Sequence, residues 1–598
     1  MIRRSTSNWQ RQPCWRVLDT CFSDGQLFFD TWERWQQDPH PPRVLHYVAL
    51  CPSAPDAQQL LTTCQQRVGQ STLVQELTPH WFGLLPGFHR FLLSNGRVVL
   101  TLCVGDAMAS LRQQDFSGDT LIVSLDAPTQ TGALDLRDAW SAKALASCCR
   151  RGTELLAYGR NPVDWAQSIG SLQQSGFTID APALTDAQAR YTVGQFAPDW
   201  TLKTSRRRRA EALPVQRCAV IGAGLAGASV AAALARRGWQ VQVIDQAATP
   251  AAGASGLPVG LVLPHVSSDD CLLSRLSRVG VRLMLQEAQR SLKNGTDWGA
   301  TGVLERQVGG TPRPPAPWPS AGQAWSLPSA QAPVGRFDQV GAALWHPKAA
   351  WIKPAALVRA WLGEQGVTFI GSTRVTRLQK SGGLWQLLDA AGAVCAQAEQ
   401  VVIANACGAS VLLQNTANAH PALADALAHL PPVQGMRGLL SWALHDHTPV
   451  PQDAFPALPV NGSGAMVAHI PTDQGLAWFM GSSYQPATQE ERSDHDNHLR
   501  NLEHLQQLLP SLAQALAPAF QGNVIQVWKG NRCVSLDRLP LVGALEAGDV
   551  SSLWLCAAMG SRGLSFSVLC AELLAARMGA EPMPVPVRMA RALDALRG

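Results

Sequence analysis

The sequence predicts two α/β units in succession, and three observations carry that reading. Residues 17–196 alternate short apolar runs with amphipathic stretches, a polar segment follows at 201–216, and a second strand–turn–helix unit opens with RCAVIGAGLAGAS at Arg217. At 598 residues the chain is also too long for one hydrophobic core.

In the leading block, Val44–Leu50, Val98–Val104, Leu121–Leu125 and Leu155–Tyr158 read as strands, with Asp56–Arg67 and Ala139–Arg150 as helices between them. Strands alternating with helices point to a parallel sheet covered on both faces. TLKTSRRRRAEALPVQ (201–216) is polar and basic and reads as a linker between a first domain, 1–200, and a second, 217–598. Within the second domain, the Pro/Gly-rich GGTPRPPAPWPSAGQ (309–323) reads as a long loop. VVIANACGAS (401–410) suits a strand returning to the second sheet after an inserted domain.

Composition excludes more than it selects. With 46% apolar and 16% charged residues, the chain is an ordinary globular protein rather than a disordered one. Residues 1–216 carry 21 Lys+Arg against 19 Asp+Glu, and the rest 28 against 25, so bulk charge makes no case for nucleic acid. Arg206–Arg209 is a local basic exception, read as phosphate-contacting or as solvated linker. Fourteen cysteines with no C-x-x-C spacing signal neither zinc nor thioredoxin-like chemistry, so no metal site is expected. The N-terminus has no apolar core behind its basic residues, and Cys218–Ala235 is explained by glycine spacing, so neither export nor a membrane span is expected. Reduced thiols in a cytoplasmic protein follow.

VIGAGLAG places Gly222, Gly224 and Gly227 in G-x-G-x-x-G spacing. The first glycine permits the tight turn, the second lets backbone approach a pyrophosphate, and the third packs helix on strand. The helix N-terminus then offers unpaired N–H groups to phosphate. A second strand ends at Asp245, 23 positions beyond Gly222, where a ribose hydroxyl needs an acceptor. Gly253-Ala254-Ser255-Gly256 follows, small enough to close over a bound cofactor. Near the end, Gly560, Gly563 and Leu564 sit in MGSRGLSFSVLCAELLAARM, another glycine turn opening a helix, preceded by NRCVSLDRLPLVG (531–543).

VIGAGLAGAS…VID, GASG, VVIANACG, DRLPLVG and GSRGL together resemble the FAD-dependent oxidases of the D-amino-acid and glycine oxidase type. The GASG-x-x-x-G-x-x-x-P and GSRGL-x-x-x-x-LCAE-x-LAA-x-M patterns are more specific. They resemble the oxidoreductase half of the bifunctional tRNA 5-methylaminomethyl-2-thiouridine biosynthesis family (MnmC family), over essentially all of 217–598. The resemblance implies a Rossmann-like methyltransferase fold followed by an FAD-binding Rossmann-type domain with an inserted α+β substrate domain. It implies FAD as cofactor and tRNA as partner. The reaction is oxidation of 5-carboxymethylaminomethyl-(2-thio)uridine to the 5-aminomethyl nucleoside, releasing glyoxylate, then methylation from S-adenosylmethionine. A free glycine or D-amino-acid oxidase carrying a non-catalytic first domain is the alternative. Under this resemblance Arg532 and Arg562 are candidates to hold the substrate carboxylate, with an ordinary loop-bracing arginine as the alternative for each. His265 is a pocket candidate, a satisfied structural histidine being the alternative. No general base stands out.

LLPGFHRFLLSNGRVVLTLCVGDA (84–107) and SLQQSGFTI (171–179) extend the resemblance to the leading block. Its active positions depart from the family pattern. Where that pattern reads Glu-x-Gly-Phe-Gly-x-Gly, this chain reads Asp19-Thr-Cys21-Phe-Ser23-Asp-Gly25, and Cys51 stands where a ribose-binding acid is expected. Asp126-Ala127-Pro128 is all that remains of a longer loop, and DAPALTDAQARYTVG (180–194) replaces a basic segment. A methyltransferase fold with impaired or absent methyl transfer is expected, with a shifted but working site as the alternative.

Overall fold

The computed structural model describes residues 8–65, 71–180, 183–184, 190–200, 212–306, 314–328, 343–418, 420, 422–522, 524–546 and 551–597. The chain divides into two compact units. The first comprises residues up to 215 with 236–238 and 575–591; the second holds the remainder. Most of the expected linker, including Arg206–Arg209, lies outside the described residues.

The first unit is built on one sheet with two cores. Its strands run in the order Gly87–Leu93, Val98–Val104, Val44–Cys51, Cys14–Asp19, Gly118–Ser124, Cys149–Gly159, Arg190–Phe196, Phe177–Ile179, with Ala183–Leu184 beside Arg190–Phe196. The five strands from Val98–Val104 to Cys149–Gly159 pair in parallel. The edges do not, which corrects the expectation of a parallel sheet. Gly87–Leu93 pairs antiparallel with Val98–Val104 because Ser94, Asn95 and Gly96 all take positive φ and turn the chain straight back. Arg190–Phe196 also runs antiparallel to Cys149–Gly159. Val44–Cys51 and Val98–Val104 are buried along their whole length, as strands covered on both faces should be. The expected helix at Ala139–Arg150 stops at Ala146, and Cys149 and Arg150 begin a strand. Exposed arginines at that strand's start had the look of a charged helix end.

A buried ionic group closes this unit. Arg237 and Glu581 pair at 2.9 Å, and His46 Nε2 lies 3.1 Å from Glu581 Oε2, with all three side chains nearly inaccessible. Burial would raise the Glu581 carboxyl, but Arg237 and His46 hold it far below the usual range, while burial pushes the His46 imidazole below its ordinary value. Cys14 stands close enough to complete a metal-like trio, within 4.8 Å. Glu581 is bound to Arg237, and burial pushes the Cys14 thiol up to about 12.

The second unit has a six-stranded sheet in the order Val367–Ile370, Gln240–Ile244, Arg217–Ile221, Gln400–Ile403, Leu553–Ala557, Leu541–Ala544. All neighbours are parallel except the last pair. Gln400–Ile403 is the expected returning strand, paired directly with Arg217–Ile221. Between these strands the chain departs to build an eight-stranded sheet that includes Val303–Arg306, Ala343–His346, Val433–Leu444, Val460–Gly462, Gly475–Pro486 and Gln526–Ser535. The unit is therefore a dinucleotide-type α/β sheet carrying an inserted α+β portion. The proline-rich loop, where described, ends in a short helix at Ser320–Gln323. Among the described residues, no helix is long and apolar enough to cross a membrane.

Candidate active site

The strand Arg217–Ile221 delivers the chain to Gly222 at φ +110, and the helix Leu225–Arg236 begins three residues later. A side chain at Gly222 would stand 2.7 Å from the Ala404 carbonyl, and one at Gly227 only 1.8 Å from the Gly222 carbonyl. Gly224 is different. Its nearest neighbour would be Ser255 Oγ at 2.9 Å, so it offers bare backbone to the space in front of the helix. Ser255 Oγ accepts from Leu225 N at 2.9 Å, tying the second small-residue loop to the helix start. Asp245, at the end of Gln240–Ile244, accepts from Ala223 N at 2.7 Å and from Ala247 N at 2.9 Å. Each oxygen retains a lone pair for a ribose hydroxyl.

In front of this turn lies a cavity of about 860 Å³. That is toward the upper end of small-molecule and cofactor sites, about 300–1,000 Å³. Of the residues expected from the sequence, Gly222, Gly224, Asp245, Gly253, Ala254, Ser255, Arg532, Gly560, Arg562, Gly563, Leu564 and His265 line it. Gly227 and Gly256 do not: both are crowded by neighbouring carbonyls and serve the packing of the turns. Bare backbone at a helix N-terminus, an acid with spare acceptor capacity and a cavity of this size fit FAD.

The other end of the cavity is polar. Arg532, on Gln526–Ser535, donates to the Tyr484 hydroxyl, with its guanidinium 4.8 Å from the Tyr484 ring centre, and to Ser482 Oγ at 3.5 Å. Burial alone would raise the Tyr484 phenol, but Arg532 and Ser482 bring it below its ordinary value. Neither Arg532 nor Arg562 has a carboxylate within ion-pair distance among the described residues. Two guanidinium groups without an anion facing one cavity are a receptor for an anion. Arg562 is less readily protonated than an ordinary arginine because it is buried, an effect Glu305 opposes.

The sequence missed Glu305, His346, Asn461, Ser482 and Tyr484. Each sits in or beside a strand of the inserted sheet, where an isolated polar residue among apolar ones gives no signal by spacing. Glu305 lines the cavity and accepts from His346 Nε2 at 2.9 Å and from Asn461 Nδ2 at 3.3 Å. Behind it, His346 is fully buried, with Nδ1 2.9 Å from Ser326 Oγ and 3.3 Å from the Trp325 carbonyl. Burial would raise the Glu305 carboxyl, but His346 overrides it, helped by His265 and Arg562, and the net shift is downward. His265 contacts Ser274 Oγ at 2.9 Å through Nδ1, so it is both satisfied and a wall of the cavity.

The first unit's glycine turn is a poorer receptor. Asp19 accepts from the Tyr47 hydroxyl at 2.7 Å and from Cys21 N at 2.9 Å, and burial nonetheless raises it to about 6. Ser23 occupies the left-handed region at φ 49, where glycine is free of strain and serine is not. Cys51 is buried, its thiol pushed up to about 12 by burial, and it donates to the Ser53 carbonyl at 3.1 Å. A neutral thiol spent on its own loop cannot accept from two ribose hydroxyls. These residues do not fit S-adenosylmethionine.

A dinucleotide turn opening on a cavity with unpaired cations at its far wall defines a flavin-type oxidoreductase. The FAD dependent oxidoreductase family matches residues 217–577. Beyond that class, relatives align along almost the whole chain. A protein of Albidiferax ferrireducens, named tRNA 5-methylaminomethyl-2-thiouridine biosynthesis bifunctional protein MnmC, is 49% identical over 99% of this chain and 94% of its own. Proteins of the same name from Polaromonas naphthalenivorans and Paracidovorax citrulli are 42% and 43% identical, each over 98% of this chain and over 90% and 92% of their own. The chain belongs to this tRNA 5-methylaminomethyl-2-thiouridine biosynthesis bifunctional protein family.

Proposed function

We propose that this chain performs the oxidative step of tRNA wobble-uridine modification. It converts 5-carboxymethylaminomethyl-(2-thio)uridine to 5-aminomethyl-(2-thio)uridine and releases the carboxymethyl carbons as glyoxylate. The observation that carries the reading is the single cavity joining the Gly222–Ala226 turn to Arg532 and Arg562. The family of the relatives, named for tRNA modification, favours this over a free glycine or D-amino-acid oxidase.

The reacting end of the substrate is an N-substituted glycine, a carboxylate and an amine one carbon apart. Gly222, Gly224 and the first turn of Leu225–Arg236 would hold the cofactor's pyrophosphate and Asp245 its ribose. Gly253, Ala254 and Ser255 would flank it on one side, with Gly560, Gly563 and Leu564 on the other. FAD, when bound, supplies the acceptor for the hydride leaving the glycine Cα. Arg532, oriented by Tyr484 and Ser482, pairs with the substrate carboxylate and so fixes the Cα, with Arg562 the second cation. Water then hydrolyses the resulting imine. The protein works with tRNA in the cytoplasm, and its first unit contributes binding rather than methyl transfer.

The test uses purified protein, its visible flavin spectrum, and tRNA carrying the carboxymethylaminomethyl group. Mass analysis of nucleosides is expected to show the aminomethyl product with or without S-adenosylmethionine. Unchanged substrate nucleoside defeats the oxidative assignment. A methylaminomethyl product that needs the methyl donor defeats the assignment of the first unit.

A further inference from the structure

We propose that Glu305 is the proton acceptor for the substrate amine, with His346 the residue that positions it. The inference deepens the oxidative reading and rests on it. A secondary alkylammonium titrates near about 10 in water, so the substrate arrives protonated at neutral pH. Hydride cannot leave the adjacent carbon until the nitrogen has a free lone pair to form the imine. The chain must therefore supply a place for one proton.

Among the described residues lining the cavity, Glu305 is a carboxylate held by the inserted sheet and facing the same space as Arg532. Cation and anion on one cavity match a zwitterion: the carboxylate at Arg532, the ammonium at Glu305. Asp245 also lines the cavity, but it stands at the cofactor turn, anchored by Ala223 N and Ala247 N, and not on the inserted sheet with Arg532. The other titratable groups facing Glu305 are His346 from Ala343–His346, His265 from the loop after Gly260–Val262, and Arg562 from the turn before the last long helix. All three favour the ionised carboxylate, so Glu305 meets the substrate ammonium as an anion. A fully buried histidine 2.9 Å behind it fixes the carboxylate.

The step balances simply. The N–H bond of the ammonium breaks, an O–H bond forms on Glu305, the amine becomes neutral and Glu305 becomes an uncharged acid. Its proton returns to water when product leaves.

The experiment follows anaerobic bleaching of the flavin by substrate tRNA in a single turnover between pH 6.5 and 9.5. Wild type, Glu305→Gln, Glu305→Asp and His346→Asn are compared, and flavin content is read from each visible spectrum. Glu305→Gln is expected to bleach about 10²–10⁴-fold more slowly at pH 7. That deficit should shrink about tenfold per pH unit, as solution supplies the free amine. Glu305→Asp should restore part of the rate. His346→Asn should lose less than Glu305→Gln and move the pH profile upward. Equal rates for wild type and Glu305→Gln at pH 7, or a deficit that does not change with pH, overturn the proposal. If wild type itself is not bleached by this tRNA, the oxidative reading falls and Glu305 loses its assignment with it. Should Glu305→Gln lack flavin, the Glu305→Asp and His346→Asn profiles decide: pH-independent deficits in both overturn the assignment.

Discussion

The two glycine turns, Asp19–Gly25 in the first unit and Ile221–Gly227 in the second, are the same device in two conditions. Each follows a parallel strand, opens a helix, and lies beside a second strand whose last residues face the turn. In the second unit the turn keeps its bare backbone and an acid at the neighbouring strand end. In the first, Cys21 and an exposed Ser23 stand in the turn, and a neutral Cys51 ends the neighbouring strand. Both turns sit on strands of an ordered, buried sheet, so a fold does not by itself fix what its turn can hold. What distinguishes them is chemistry at three or four positions.

The strongest way to break the comparison is to crowd the second turn. Gly227→Ala puts a methyl 1.8 Å from the Gly222 carbonyl, and complete loss of the visible flavin spectrum is expected. A different substitution tests whether the first unit stands on packing alone. Glu581→Gln should cost about 3–5 kcal/mol near neutral pH, because buried Arg237 loses the Glu581 carboxylate. The Glu581 carboxyl lies below its unfolded value in the folded state, so this contribution is complete above about pH 4.3 and fades as pH falls further. Denaturation midpoints of wild type and variant should therefore converge in acid. Arg532→Met removes a charged partner worth about 1.5–3 kcal/mol, and flavin reduction by substrate tRNA should slow about 10–150-fold with flavin content unchanged. The smallest effect sharpens the comparison from the other side. Ser23→Gly relieves a left-handed serine and should stabilise the first unit by about 1 kcal/mol. Calorimetry should detect no S-adenosylmethionine binding, because Cys51 still lacks an acceptor for the ribose.

What could be read from the sequence was whatever is local along the chain. Gly222, Gly224, Gly227 and Asp245 lie within 24 residues, and one strand–turn–helix–strand unit explains their spacing. Arg532 and Arg562 were legible through the loops around them. Glu305, His346, Asn461 and Tyr484 were not, because they meet only when four strands drawn from 180 residues of chain enter one sheet. The antiparallel edges of the first sheet were hidden for a related reason. Periodicity reports that a strand is buried, not the direction of its neighbour.

The crowding around the glycines has a wider consequence for reading such turns in any genome. Gly222 and Gly227 press on the protein's own carbonyls, so architecture would retain them after a cofactor was abandoned. Gly25 in the first unit is likewise held by the protein itself, crowded by the Phe22 and Leu60 side chains at φ +81. Gly224 presses on nothing but one serine hydroxyl, so its only strict customer is the ligand. The middle glycine of such a turn is the one whose loss records a change of occupation.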